Sequence, residues 1–225
     1  MASSRLGIVT AAPASVMVVP DGPTWAKMAA ESLTDTLATH PVVTAWLAAG
    51  HVVQPLVGDV SLLVQSAAAA GGALMLDDRG GVLAWSSTPA RLPRVAATRR
   101  VVVDDGYAAR WALLEDALHS TVPDGTPDHL LILLAAAGTG LLSARRAVAL
   151  LTAYHRHLDA AAAAAHTAAF DPALVKLLHA CGWTPEPQRT LTGGLPWWPV
   201  HRQPRRHRAA QLAGPAGTET SESVR

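Results

Sequence analysis

Apolar positions in this chain recur at two spacings, and each change of spacing marks a boundary between elements. Ser15–Pro20 (SVMVVP) is short, apolar and rich in valine, which predicts a strand, and Asp21-Gly22-Pro23 predicts a turn. Trp25, Met28, Ala29, Leu33 and Leu37 then recur at helical spacing until His40-Pro41 breaks the run. A second apolar stretch runs from Val42 to about Ala69 and closes on Gly71-Gly72. Ala73–Leu76 and Val82–Ser86 read as the strands of a hairpin, because Asp77-Asp78-Arg79-Gly80-Gly81 between them is turn chemistry.

After a proline-punctuated link, Tyr107, Trp111, Leu114 and Leu118 mark one face of another helix, and Thr121–Asp128 is a loop. His129–Ala135 (HLLILLA) is apolar without alternation, the pattern of a strand covered on both faces; a buried helix would share it. Gly138-Thr139-Gly140 opens a helix from about Leu142 to Leu158, with Ala144, Ala147, Val148, Leu151, Tyr154 and Leu158 on its apolar face. Alanine is the best helix former, so propensity alone carries this helix on through Ala160–Phe170. The next helix has sharp limits: Asp171 suits the N-cap, Pro172 the first turn and Gly182 the stop. Gly193–His201 reads as an extended, aromatic closing segment.

Composition adds bounds. With 225 residues, half of them hydrophobic, the chain can bury one sizeable core, expected over residues 15–203. Residues 1–14 read as a flexible lead-in and 204–225 as a disordered polar tail. A net charge of +1 gives no reason to invoke nucleic acid or an anionic membrane as partner. One cysteine, Cys181, rules out an intramolecular disulfide and a cysteine-based zinc site, so no metal is expected and a reducing cytoplasm fits. No run approaches the ~20 apolar residues of a membrane span, and the amino terminus is too broken and too weakly basic for a signal peptide.

The order of elements, and above all Leu151–Asp159 (LTAYHRHLD), Leu174–Trp183 (LVKLLHACGW) and Gly193–Pro204 (GGLPWWPVHRQP), resembles the GNAT acyltransferase superfamily over roughly residues 15–203. The resemblance implies an α/β fold with a central mixed sheet flanked by helices. It also implies an N-acetyltransferase, or other N-acyltransferase, moving an acyl group from acetyl-CoA or another acyl-CoA to the amine of a small molecule or peptide. In that family the strand matching His129–Ala135 splays from its neighbour and admits the pantetheine arm, which here would lie along Leu133, Leu134, Ala135 and Ala136. Backbone amides of the following loop cradle the pyrophosphate at a helix N-terminus; the matching stretch is Gly138, Thr139, Gly140, Ser143, Ala144, Arg145 and Arg146. Glu115 and His129 are the candidates for catalytic roles, and dimers are common in proteins of this resemblance.

Three departures stand beside it. Counting back from the helix end places Ser143, Ala144 and Arg145 where the family's Gly-x-Gly falls; using Gly138-Thr139-Gly140 instead requires a deletion. The position of the usual thiol-protonating tyrosine is Leu178. Alanines around Ala160–Ala165 replace a Gly-Pro-type turn. Two other readings therefore stay open: a non-catalytic GNAT-like binding or assembly protein, and a Rossmann-type nucleotide or S-adenosylmethionine enzyme using Gly138-Thr139-Gly140 with Asp171 as its acid. His155 and His157 point apart on a helix, so they read as surface histidines rather than metal ligands. Glu115 reads more readily as part of a solvated helix face, Cys181 as core, and Arg202–Arg208 as a solvated basic tail.

Overall fold

The computed structural model describes residues 15–20, 23–40, 42–47, 53–87, 105–123, 126 and 128–205. The expected lead-in 1–14 and nearly all of the expected tail, from 206 onward, lie outside them. The described strands are β1 (Val16–Val18), β2 (Gly71–Leu76), β3 (Gly81–Ser86), β4 (His129–Ala136), β5 (Ala165–Ala169), β6 (Thr184–Pro185), β7 (Arg189–Thr190) and β8 (Pro196–Arg202). The helices are α1 (Pro23–Ser32), α2 (Thr34–Ala38), α3 (Val53–Ala70), α4 (Asp105–His119), α5 (Leu141–Ala161) and α6 (Pro172–Ala180), with a π-helical turn at Val42–Leu47.

The strands form one mixed sheet in the order β1-β2-β3-β4-β5-β8-β6, with β7 also on β8. Among the described strands only β4 and β5 pair in parallel; the other pairings are antiparallel. A doubly wound nucleotide fold needs successive parallel units, so the Rossmann reading falls.

The hairpin's period-two pattern explains how the sheet is covered on both faces. Ala73, Met75, Val82 and Ala84 point into a core with Ala29 and Leu33 near α1, Val60 and Val64 of α3, and Tyr107 of α4. Leu74, Leu76, Leu83 and Trp85 point the other way, into Leu150, Leu151, Tyr154 and Leu158 of α5 and Leu178 of α6. Both faces are apolar because both are buried, which is why these strands lack polar alternation.

Three expectations fail here. Helix α5 does not run on through the alanines: Ala162 turns left-handed at φ 50°, and the Ala163 amide closes on the Leu158 carbonyl at 3.0 Å. The five residues of β5 are instead buried between β4 and β8, so sheet pairing outweighs helix propensity. Val148 is 41% exposed, and Leu150 takes its expected place in the core. Arg202, assigned by composition to a solvated tail, is 4% exposed at the end of β8, and its guanidinium donates to Asp159 at 2.8 Å.

Candidate functional site

Strands β4 and β5 pair only at His129–Ala165 and Leu130–His166. Beyond that point the Thr167 hydroxyl donates to the Leu131 carbonyl at 2.9 Å, and no further rung follows. On its other edge β4 stays bonded to β3 as far as Ala136, but the register slips between Ala84 and Trp85. Ala84 faces Leu133 and Trp85 faces Leu131, so Ile132 is an extra residue bulged out of the ladder. The divergence opens a cleft of about 620 Å³ whose floor is Leu131–Ala136. The backbone of β4 along this edge therefore offers hydrogen-bonding groups with no described strand opposite.

The cleft reaches the start of α5. Gly138 and Gly140 line it, at φ 103° and 55°, conformations that a side chain would strain. Gly140 caps the helix without any side-chain hydrogen bond. Of the first amides of α5, Leu142 bonds to Thr139 and Ala144 to Gly140, while those of Leu141 and Ser143 have no backbone acceptor among the described residues. Ser143 and Ala144 sit in the first turn and also line the cleft. The helix begins at Leu141, so the phasing that put Ser143–Arg145 in the loop is corrected: the glycines of the loop are Gly138 and Gly140. Thr139 and Arg145 are exposed, and neither lines the cleft. Arg146 points away, donating to the Ala137 carbonyl at 2.9 Å and pairing with Asp78 of the β2–β3 turn.

The opposite part of the cleft is walled by α2, the π-turn, α3 and α4. Its walls are largely apolar, with Leu37, Val43, Leu56, Val60, Leu63 and Trp111 among them, and its ionisable side chains are His40, Glu115, His119 and Asp171. Glu115 is not on a solvated face; it is 5% exposed, and its carboxylate accepts from the Trp111 indole at 3.0 Å. His119 was missed by sequence reasoning. Its Nδ1 lies 2.7 Å from the Glu115 carbonyl, which fixes the ring proton there, and its buried Nε2 has no partner among the described residues. The i, i+4 spacing of Trp111, Glu115 and His119 on α4 was the available signal. Asp171 caps α6 as expected, accepting from the Ala173 amide at 2.9 Å, and lies 3.8 Å from His40 Nε2. Burial holds the His40 imidazole below its ordinary range, with Asp171 opposing.

His129 is not part of this cleft. It is 5% exposed on the α5 side, its ring near Tyr154 and His157, and its Nδ1 has no partner among the described residues. Burial first, and the charge of His157 second, push its imidazole toward the neutral form. His155 is half-buried rather than fully on the surface: the Trp183 indole donates to its Nε2 at 2.9 Å, and burial pulls its pKa to about 4. Leu178 is fully buried and lines the cleft, so the position expected of a tyrosine presents only hydrocarbon. Cys181 packs half-buried on the α5 core, where burial raises its thiol. Among the described residues no cluster of three metal-ligating side chains occurs, and no helix is long and apolar enough to cross a membrane.

Comparison with known proteins adds a likeness of fold. A solved structure from Corynebacterium glutamicum, described as histone acetyltransferase HPA2 and related acetyltransferase, superposes with a TM-score of 0.51 and 15% identity, over 84% of this chain and 97% of that one. No family model and no curated protein matches the sequence. The mixed sheet and its flanking helices therefore share the fold of that solved structure.

Proposed function

We propose that this protein is an acyl-CoA-dependent N-acyltransferase acting on the amine of a small molecule or peptide. What carries the reading is the parting of β4 from β5 after Leu130–His166, which leaves an unpaired strand edge leading to an amide-rich helix start. The fit is chemical as well as spatial. An extended pantetheine arm carries amide groups that can pair with the free edge along Leu133, Leu134, Ala135 and Ala136. Its pyrophosphate then meets the amides around Gly138, Thr139, Gly140 and Ser143, with Ala144 beside them and the exposed Arg145 next along α5. Arg146 supports the loop from behind instead of binding phosphate.

Acyl-CoA supplies the thioester, the activated carbonyl of the reaction. The amine nitrogen, once its ammonium proton has passed to water, bonds to that carbonyl carbon. The carbon–sulfur bond breaks, the attacking nitrogen releases its second proton to water to become the neutral amide, and the thiolate takes a proton from water, because Leu178 has none to give. The protein's contribution is proximity, and backbone amides near the Ile132 bulge that face the developing oxyanion. Burial of Leu178 also favours a second reading, a GNAT-like protein that binds acyl-CoA without turnover.

The two are separated by mixing the protein with acetyl-CoA and a panel of primary amines and following thiol release together with the mass of the amide product. Transfer predicts amine-dependent thiol release. Release no faster than without protein would leave only the binding role.

A further inference from the structure

A second, smaller cavity of about 290 Å³ adjoins the cleft and shares Val42, Phe170 and Asp171 with it. Trp46 of the π-turn and Phe170 at the end of β5 line it, and Gly193-Gly194, in the turn before β8, forms its other side. Both glycines have positive φ, and a Cβ on Gly193 would come 3.4 Å from the Trp46 indole nitrogen, so the turn lies directly on this ring. Phe170 is held in turn by Trp197, with ring centres 6.4 Å apart. At the junction of the two cavities stands the Asp171 carboxylate. One oxygen is occupied by the Ala173 amide, while the other lies 3.8 Å from His40 Nε2, beyond hydrogen-bond length.

From this juxtaposition we propose that the acceptor is a compact primary amine with one positive charge, an apolar or aromatic body and no carboxylate. The inference rests on the acyl-transfer reading above. The body lies between Trp46 and Phe170, where aromatic faces attract both flat apolar groups and cations. The ammonium head meets Asp171, which places its nitrogen at the edge of the cleft that holds the thioester. A carboxylate on the acceptor would face Asp171 and Glu115, and among the described residues lining either cavity no Lys or Arg would receive it.

The test uses the full chain with acetyl-CoA, 2-phenylethylamine, tryptamine and L-phenylalanine. The two amines are expected to be acetylated, and L-phenylalanine to have a kcat/KM lower by about tenfold or more. Asp171→Asn keeps the helix cap while removing the charge, and should raise the amine KM about tenfold with the acetyl-CoA KM unchanged. Trp46→Leu should raise the amine KM roughly 2–30-fold. If both variants leave the amine KM unchanged, or L-phenylalanine serves as well as 2-phenylethylamine, the proposal is overturned. Acetyl-CoA binding without turnover of either amine also overturns it, and leaves the cleft's reading intact. Absence of acetyl-CoA binding, measured by calorimetry on the unmodified protein, overturns both.

Discussion

Arg146 on α5 is ion-paired with Asp78 in the β2–β3 turn, across 68 residues of sequence. The other arm of the same guanidinium donates to Ala137, just past the end of β4. The side chain passes over Gly80, where an added Cβ would come 2.4 Å from Arg146 Cζ. One residue thus ties the hairpin turn, the end of the splayed strand and the first turns of α5 into one corner behind the glycine loop. Arg146→Met should lower unfolding free energy by about 1–3 kcal/mol, since the Ala137 carbonyl and Asp78 lose their charged partner. Denaturant unfolding measures this, and an unchanged midpoint would contradict the clamp.

Arg145 is exposed, with no ion-pair partner among the described residues. It lies near the N-terminus of α5, where the helix dipole is positive and no acid occupies the first turn. A cation there, just past the first turn, is disfavoured by about 0.3 kcal/mol or less until an anion arrives. Arg145→Ala should therefore slightly raise the melting temperature of the ligand-free protein. It should also weaken acetyl-CoA binding about 3–10-fold and reduce its salt dependence. Unchanged affinity would remove Arg145 from the phosphate site.

At the other end of α5, Ala162 occupies the left-handed position that closes the helix. Glycine takes that conformation without the steric cost that an L side chain meets there, about 1 kcal/mol. Ala162 is exposed, so its methyl group contributes little packing. Ala162→Gly is expected to stabilise the protein by about 1 kcal/mol. Calorimetric unfolding would show this as a raised transition, and a lowered one would refute it.

Stability should fall in mild acid for a defined reason. His155 has a folded pKa of about 4, against an ordinary 6.5, mainly because it is buried, with Arg202 repelling its charged form. Between these values the unfolded chain binds a proton that the folded chain refuses. The stabilisation is thus complete above about pH 6.5 and is lost progressively toward pH 4, by on the order of 2–3 kcal/mol. His129 shifts in the same direction. His155→Gln keeps an acceptor for Trp183 but cannot titrate, so its unfolding free energy should decline less over this window. Equal slopes for the two proteins would count against the assignment.

Local chemistry made part of this fold legible in the sequence. The Asp77–Gly81 turn and the Asp171-Pro172 cap are decided by residues a few positions apart, and both stand where the sequence puts them. Features decided by distant partners were not legible. Arg202 looked like the start of a basic tail because its partner, Asp159, lies 43 residues earlier. The alanines of β5 favoured helix until the sheet supplied neighbours on both edges. Gly138-Thr139-Gly140 marked the start of α5 to within a residue, at Leu141, and only counting back from the helix end displaced the glycine loop to Ser143–Arg145. Glu115 looked solvent-facing, although Trp111 one helical turn before it was a visible donor. The parting of β4 from β5, on which the site depends, has no signature in either strand alone, because each is uniformly apolar or alanine-rich.

The most direct test of that parting as an acyl-CoA site is calorimetric titration of the protein with acetyl-CoA, S-adenosylmethionine and NAD in turn. Saturable binding of acetyl-CoA alone is the predicted result. Binding of either nucleotide in its place, or of none of the three, would contradict it.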